Sequence, residues 1–179
     1  HSIYFVIKYR DQYDLILTTS PPLFVHIPGL FAKVLLDKKW VLDVRDLWID
    51  ASAGLGFVKE GSLLKTLSER LEKLCLKFAD LITITTRKMQ EKLGDKYRIQ
   101  EKGNFLFIPN GVDTDNFFPI DVEKQNQIIY TGLLGHAQDL ESPILAMKEL
   151  KDHHDFLFRI VGDGDKREEL ERLVNSNGL

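Results

Sequence analysis

The chain has 179 residues, 44% of them hydrophobic, and a formal net charge of -3 at pH 7. That apolar mass can form one core, or a large and a small one, while balanced charge and scattered aromatics argue against a nucleic-acid surface. With one cysteine there is no internal disulfide, which fits a reducing compartment, and no apolar run approaches the ~18 residues of a membrane span.

DLILTTS (14–20) is the first strand-like run, and Pro21 or Pro22 opens a helix after it. WVLDVRD (40–46) is the second and ends in a charged pair, Arg45 and Asp46. LLKTLSERLEKLCLKF (63–78) predicts an amphipathic helix with Leu64, Leu67, Leu71, Leu74 and Phe78 on its apolar face. Cys75, on that helix, reads as a small core residue. DLITITT (80–86) and NFLFIPNG (104–111) are further strands. VDTDNFFPIDVEKQN (112–126) has no period and reads as a linker. Then come QIIYTG (127–132), a helix over SPILAMKELKD begun by Glu141 or Ser142, FLFRIVGDG (156–164), and a last helix, KREELERLVNSNG, that Gly178 ends. The strands are nearly continuous in apolar or β-branched residues, the pattern of parallel strands covered on both faces. Strands alternating with helices predict an α/β, doubly wound fold.

Ligands of such sheets collect where strands end. Ser20 leaves the first strand, and helix capping is its better reading. For Arg45 and Asp46, two readings stay even. Arg45 is a fixed cation suited to phosphate or carboxylate, and Asp46 could accept a sugar hydroxyl; otherwise the two form a local salt bridge beside Trp48. Gly132 and Gly135 let a backbone approach a phosphate, although G-x-x-G alone is weak. The Gly-Asp-Gly of IVGDGDKREEL can be a plain strand-to-helix turn. No Asp-x-Asp at a strand end suits a metal, since DTD (113–115) lies in the linker, and the His153–His154 pair reads as solvent-facing.

ADLITITTRKMQEKL, FIPNGVDTDNFFP, IIYTGLLG and FRIVGDGDKREELE, in this order and spacing, resemble the retaining glycosyltransferases of family four, which have the GT-B fold. TTSPPLF, VLDVRDLW and GHAQDLES resemble the branch that transfers acetamido sugars such as fucosamine in surface polysaccharide synthesis. The likeness spans nearly the whole chain. It implies two Rossmann-like domains facing each other across a cleft, both incomplete in this chain. Residues 1–118 would be the later part of an acceptor-side domain. Residues 119–179 would be the linker and first part of a donor-nucleotide domain.

The implied activity moves a sugar from a nucleotide-diphospho-sugar to an acceptor with retention, in polysaccharide or glycolipid synthesis, with no cofactor and no metal. Arg45, where many members have a His, and Asp46 would be the catalytic pair. Gly132, Gly135, His136, Asp163 and Gly164 would bind the donor, and Ser20 and Asn110 would line the acceptor side. The partners implied are the donor and a sugar or lipid-linked acceptor, with no nucleic acid. The place implied is the cytoplasm. A lipid-linked acceptor would bring peripheral contact with the inner membrane face, which basic surface near Lys33, Lys38 and Lys39 permits.

Three departures stand against the family pattern. No Arg or Lys follows the glycine loop, where His136 is a weak substitute. The acceptor domain's glycine loop is missing. So is the acidic motif of two glutamates expected beyond NSNGL, so the chain reads as a piece, inactive alone. A GT-B sugar-nucleotide epimerase fits PNGVD and IVGDGDKREEL less well. A non-catalytic nucleotide-sugar-binding module is favoured by the missing cations.

Overall fold

Four of the apolar runs pair in parallel, in the order β1 (Leu15–Ser20), β2 (Lys39–Val44), β3 (Leu81–Ile84) and β4 (Phe105–Phe107). The structure is a computed structural model that describes residues 1–99, 104–150 and 156–179. The chain folds as two compact units, His1–Thr114 and Asp115–Leu179. The fold is α/β, with a parallel sheet of four strands in the first unit and of two in the second, consistent with a Rossmann-like fragment.

In the first unit the strand order follows the chain, so right-handed crossovers place every connecting helix on one side of the sheet. Those helices are α2 (Ile27–Leu36), α4 (Leu63–Phe78) and α5 (Arg87–Tyr97), with the short α1 (Ser2–Lys8) and α3 (Trp48–Gly54) beside them. Trp40, Leu42, Val44, Ile82 and Ile84 from the strands meet Cys75 and Leu76 of α4 and Met89, Leu93 and Tyr97 of α5 in one buried cluster. Leu15, Leu17 and Leu106 alternate to the other face and are exposed. The expectation of strands covered on both faces is therefore corrected: a sheet wound in one direction carries its helices on one face only.

The α4 helix is also corrected. Its buried residues are Ser68, Cys75 and Leu76, whereas Leu64, Leu67, Leu74 and Phe78 are exposed and Leu71 lies at the boundary. At ~100° per residue, the buried stripe is rolled roughly a quarter turn from the leucine stripe. Cys75 is a core residue as expected, and burial pushes its thiol up to about 12. Ser62 caps this helix by accepting from the Lys65 N–H at 3.2 Å. Ser62→Ala is expected to cost about 1 kcal/mol of first-unit stability, read from its unfolding midpoint.

The second unit pairs β5 (Gln127–Thr131) with β6 (Leu157–Val161) in parallel. Helices α6 (Glu141–Leu150) and α7 (Arg167–Ser176) pack on them through a small core of Leu134, Leu140, Ile144 and Leu170. Gly178, at φ 64°, stands just past α7, as expected of a helix stop. Residues 112–126 contain neither helix nor strand. His153–His154 and the end of SPILAMKELKD lie outside the described residues.

Candidate functional site

Two strand-end regions hold the residues singled out by sequence. In the first unit, β2 ends at Val44, so Arg45 and Asp46 leave its carboxyl end, and both are exposed. The Arg45 guanidinium donates through Nη2 to Asn110 Oδ1, from the loop after β4. The partnership comes from parallel register: β2, β3 and β4 all end on one side, so loops 65 residues apart in sequence meet there. The salt bridge to Asp46 considered for Arg45 is not formed; its partner is the Asn110 amide oxygen.

Ser20 behaves differently. It is 4% exposed, and its hydroxyl donates weakly to the Asp43 carbonyl at 3.5 Å. The short 3-10 turn Leu23–His26 is preceded by Pro22 and has no side-chain cap, so Ser20 does not cap it. Ser20 lines a small void of about 10 Å³ with His26, Glu72 and Cys75, and Asp46 borders both this void and the open surface. β1 thus ends beneath the first turn of the crossover, which covers the Ser20 hydroxyl.

Behind the strand ends lies a polar network that sequence reasoning did not find. Thr18 Oγ1 receives the indole N–H of Trp40 at 2.8 Å and lies 2.8 Å from His26 Nδ1. All three side chains are buried, and desolvation lowers the imidazole pKa to about 4. Gly29 leaves room for the indole, since a β-carbon there would stand 2.2 Å from Trp40 Nε1. Asp80 takes the Trp40 backbone N–H at 2.8 Å and pairs with Lys33 at 2.7 Å and Lys39 at 3.5 Å. Two of the three lysines expected to form a basic surface are thus held by one carboxylate. Lys38 lies over the Tyr13 ring.

In the second unit, the loops after β5 and β6 are locked together. Gly132 N–H donates to the Val161 carbonyl at 3.0 Å, Leu134 N–H to Asp163 at 2.9 Å, and Lys166 N–H back to Leu134 at 2.9 Å. Gly162 allows this approach, because its β-carbon would fall 1.8 Å from the Gly132 carbonyl oxygen. Gly164, at φ 154°, would push a β-carbon to 2.4 Å from the Leu134 oxygen. The Gly132 N–H is therefore spent within the protein, and Gly162 is the tight position that the sequence reading passed over.

Asp163 is exposed, and its carboxylate accepts the Gly164 N–H at 2.9 Å. Gly135 precedes a 3-10 turn, His136–Gln138, that carries an exposed His136. The nearby cations are engaged: Lys166 pairs with Glu141 at 3.1 Å and Glu169 at 2.7 Å, and Arg167 with Glu171 at 3.0 Å. Among the described residues no cluster of His, Cys, Asp or Glu could hold a metal ion, and no helix is long and apolar enough to cross a membrane.

No family model matches the chain. It is 32% identical to "Putative colanic acid biosynthesis glycosyl transferase WcaI" of Escherichia coli (strain K12), over 95% of this chain and 45% of that protein. It is 24% identical to "Probable glycosyltransferase WbjE" of Pseudomonas aeruginosa, over 84% of this chain and 40% of that protein. The chain thus spans less than half the length of these curated relatives. Both relatives are glycosyltransferases by name, and the likeness, running along most of this chain, supports a glycosyltransferase family for it.

Proposed function

We propose that this chain is part of a retaining glycosyltransferase that takes a sugar from a nucleotide-diphospho-sugar, in polysaccharide or glycolipid synthesis. The observation that carries the reading is the pair of interlocked glycine loops at the carboxyl ends of β5 and β6. In an open α/β sheet, a nucleotide lies outside such strand ends, and the interlock fixes the two loops against each other at that edge. The names of the two relatives support the reaction class.

In this reading the bond from the anomeric carbon to the diphosphate breaks, and the acceptor hydroxyl bonds to the same face of the sugar. Its proton departs with the diphosphate. The transition state resembles a glycosyl cation, and backbone N–H groups and cations favour the leaving anion. Gly135, His136, Asp163 and Gly164 belong to the donor side, with Gly132 shaping the loop. Arg45 and Asp46 act at the acceptor, and Asn110 orients Arg45. The reading places the enzyme at the cytoplasmic side, where the acceptor is a sugar or a lipid-linked sugar. The names of the two relatives favour this over a module without catalysis.

The test is calorimetric titration of the full-length protein with uridine, guanosine and adenosine diphospho-sugars. One nucleotide class is expected to bind, and Gly132→Val to weaken it about tenfold, or about 1.4 kcal/mol. Failure of the whole panel, or equal binding by the variant, counts against the reading. Arg45→Ala is expected to lower kcat about 100-fold with an unchanged unfolding midpoint, because its side chain is exposed and, among the described residues, is held by Asn110 alone. A fall in stability with unaltered turnover would remove Arg45 from the reaction.

A further inference from the structure

We propose that a hollow at the carboxyl ends of β2 and β3 binds a phosphate-type anion, namely the phosphate or diphosphate that the acceptor carries; the acceptor's identity rests on the transferase reading. The hollow measures about 600 Å³, within the range of small-molecule pockets, and is built wholly from the first unit. Arg45 enters it from the end of β2, and Lys88 and Lys92 from α5. Lys88 and Lys92 stand four apart on one helix face, a spacing at which like charges repel. Neither makes an ion pair among the described residues.

One turn further along α5, the charge is arranged differently. Lys96 pairs with Asp50 at 2.6 Å and lies 3.4 Å from Glu69 and 3.8 Å from Glu72. Asp50 borders the hollow but is neutralised by that contact. Three cations therefore face one uncompensated carboxylate, Asp46. The start of α5 adds charge of the same sign: Thr86 makes no capping bond and the first turn contains no acid. Helix stability would favour acids there, and the basic residues found instead suit an anion delivered from outside. A polyanion with room beside it for a sugar fits the sign and size of the space, and a neutral sugar does not use the cations.

The test uses the full-length protein and its Lys88→Gln/Lys92→Gln double variant, titrated with inorganic diphosphate. Both lysines are exposed, so the variant should keep the wild-type unfolding midpoint. The expected result is about tenfold weaker diphosphate binding in the variant, with wild-type binding that declines as salt rises. Octyl diphosphate and a sugar 1-phosphate form two further arms. Tighter binding of the first marks a lipid-carried acceptor and tighter binding of the second a soluble one, and in either case the lysines should matter. Equal diphosphate affinity in the two proteins overturns the proposal. The nucleotide-sugar panel is run on the same pair of proteins. Loss of the transferase reading would appear as no nucleotide-sugar binding in either, with the lysine-dependent diphosphate site intact.

Discussion

Gly162→Ala is expected to remove about 3 kcal/mol from the second unit and to leave the first unit's unfolding unchanged. The added β-carbon would lie 1.8 Å from the Gly132 carbonyl oxygen, which is backbone and cannot rotate away. Relief requires the 132–134 segment to move. That segment is held by the Gly132–Val161, Leu134–Asp163 and Lys166–Leu134 hydrogen bonds, each worth about 1 kcal/mol net. Movement also lifts Leu134 from a core with only three other buried side chains, Leu140, Ile144 and Leu170, among the described residues. Gly132→Ala is a milder control, because its β-carbon meets the Tyr130 hydroxyl at 2.9 Å, a side-chain atom, and not backbone; its cost is the Tyr130–Leu133 hydrogen bond. Hydrogen exchange at the Gly132 and Leu134 amides, followed alongside the two unfolding transitions, gives the measurement. Unchanged protection at both amides in Gly162→Ala would mean that the interlock does not hold these loops.

The strands were legible because short, nearly continuous apolar runs bounded by polar turns have few other solutions: five fall within the expected stretches, and β2 begins one residue early, at Lys39. Helix faces were harder. α4 offers two apolar stripes, and only the sheet's position decides that Cys75 and Leu76, not Leu64 and Leu67, turn inward. α5 was not read as a helix, since its hold on the core rests on Met89, Leu93 and Tyr97 amid charged neighbours. Their i, i+4, i+8 spacing was the available signal.

At the strand ends, Arg45 and Asp46 were visible as charges that a buried strand does not need. The pairing of Arg45 with Asn110 was not, because hydrogen bonding between loops so distant depends on register. Gly162 was hidden for the same reason: its need for a missing β-carbon exists only once a second loop lies against it. The Thr18–His26–Trp40 network left little trace in sequence, as each residue alone reads as an ordinary strand or loop residue.

That network should make the first unit acid-labile. His26 is buried and its folded-state pKa is about 4, against 6.5 for an ordinary histidine, chiefly through desolvation, with Asp43 pulling the other way. A neutral imidazole can accept the Thr18 hydroxyl proton while Thr18 accepts the Trp40 N–H. Above pH 6.5 both folded and unfolded chains hold His26 neutral, and it contributes no pH dependence. Between pH 6.5 and 4 the unfolded chain binds a proton that the folded chain refuses, so stability falls as pH falls. The shift corresponds to about 3 kcal/mol lost across that window. Glu72, on the same void, has its carboxyl raised by burial and so opposes this trend, since the folded state then gains from protonation in acid. His26→Gln separates the two, because its side-chain oxygen can still accept from Thr18 but does not titrate. Denaturant unfolding of the first unit between about pH 7.5 and 4.5 should show the variant with a distinctly shallower loss than the wild type. Thr18→Val, which strands both the indole N–H and the imidazole, should cost about 2 kcal/mol already at the neutral end of that range. If His26→Gln and wild type lose stability in parallel as the pH falls, His26 is not the group that refuses the proton, and the acid sensitivity belongs to the carboxylates.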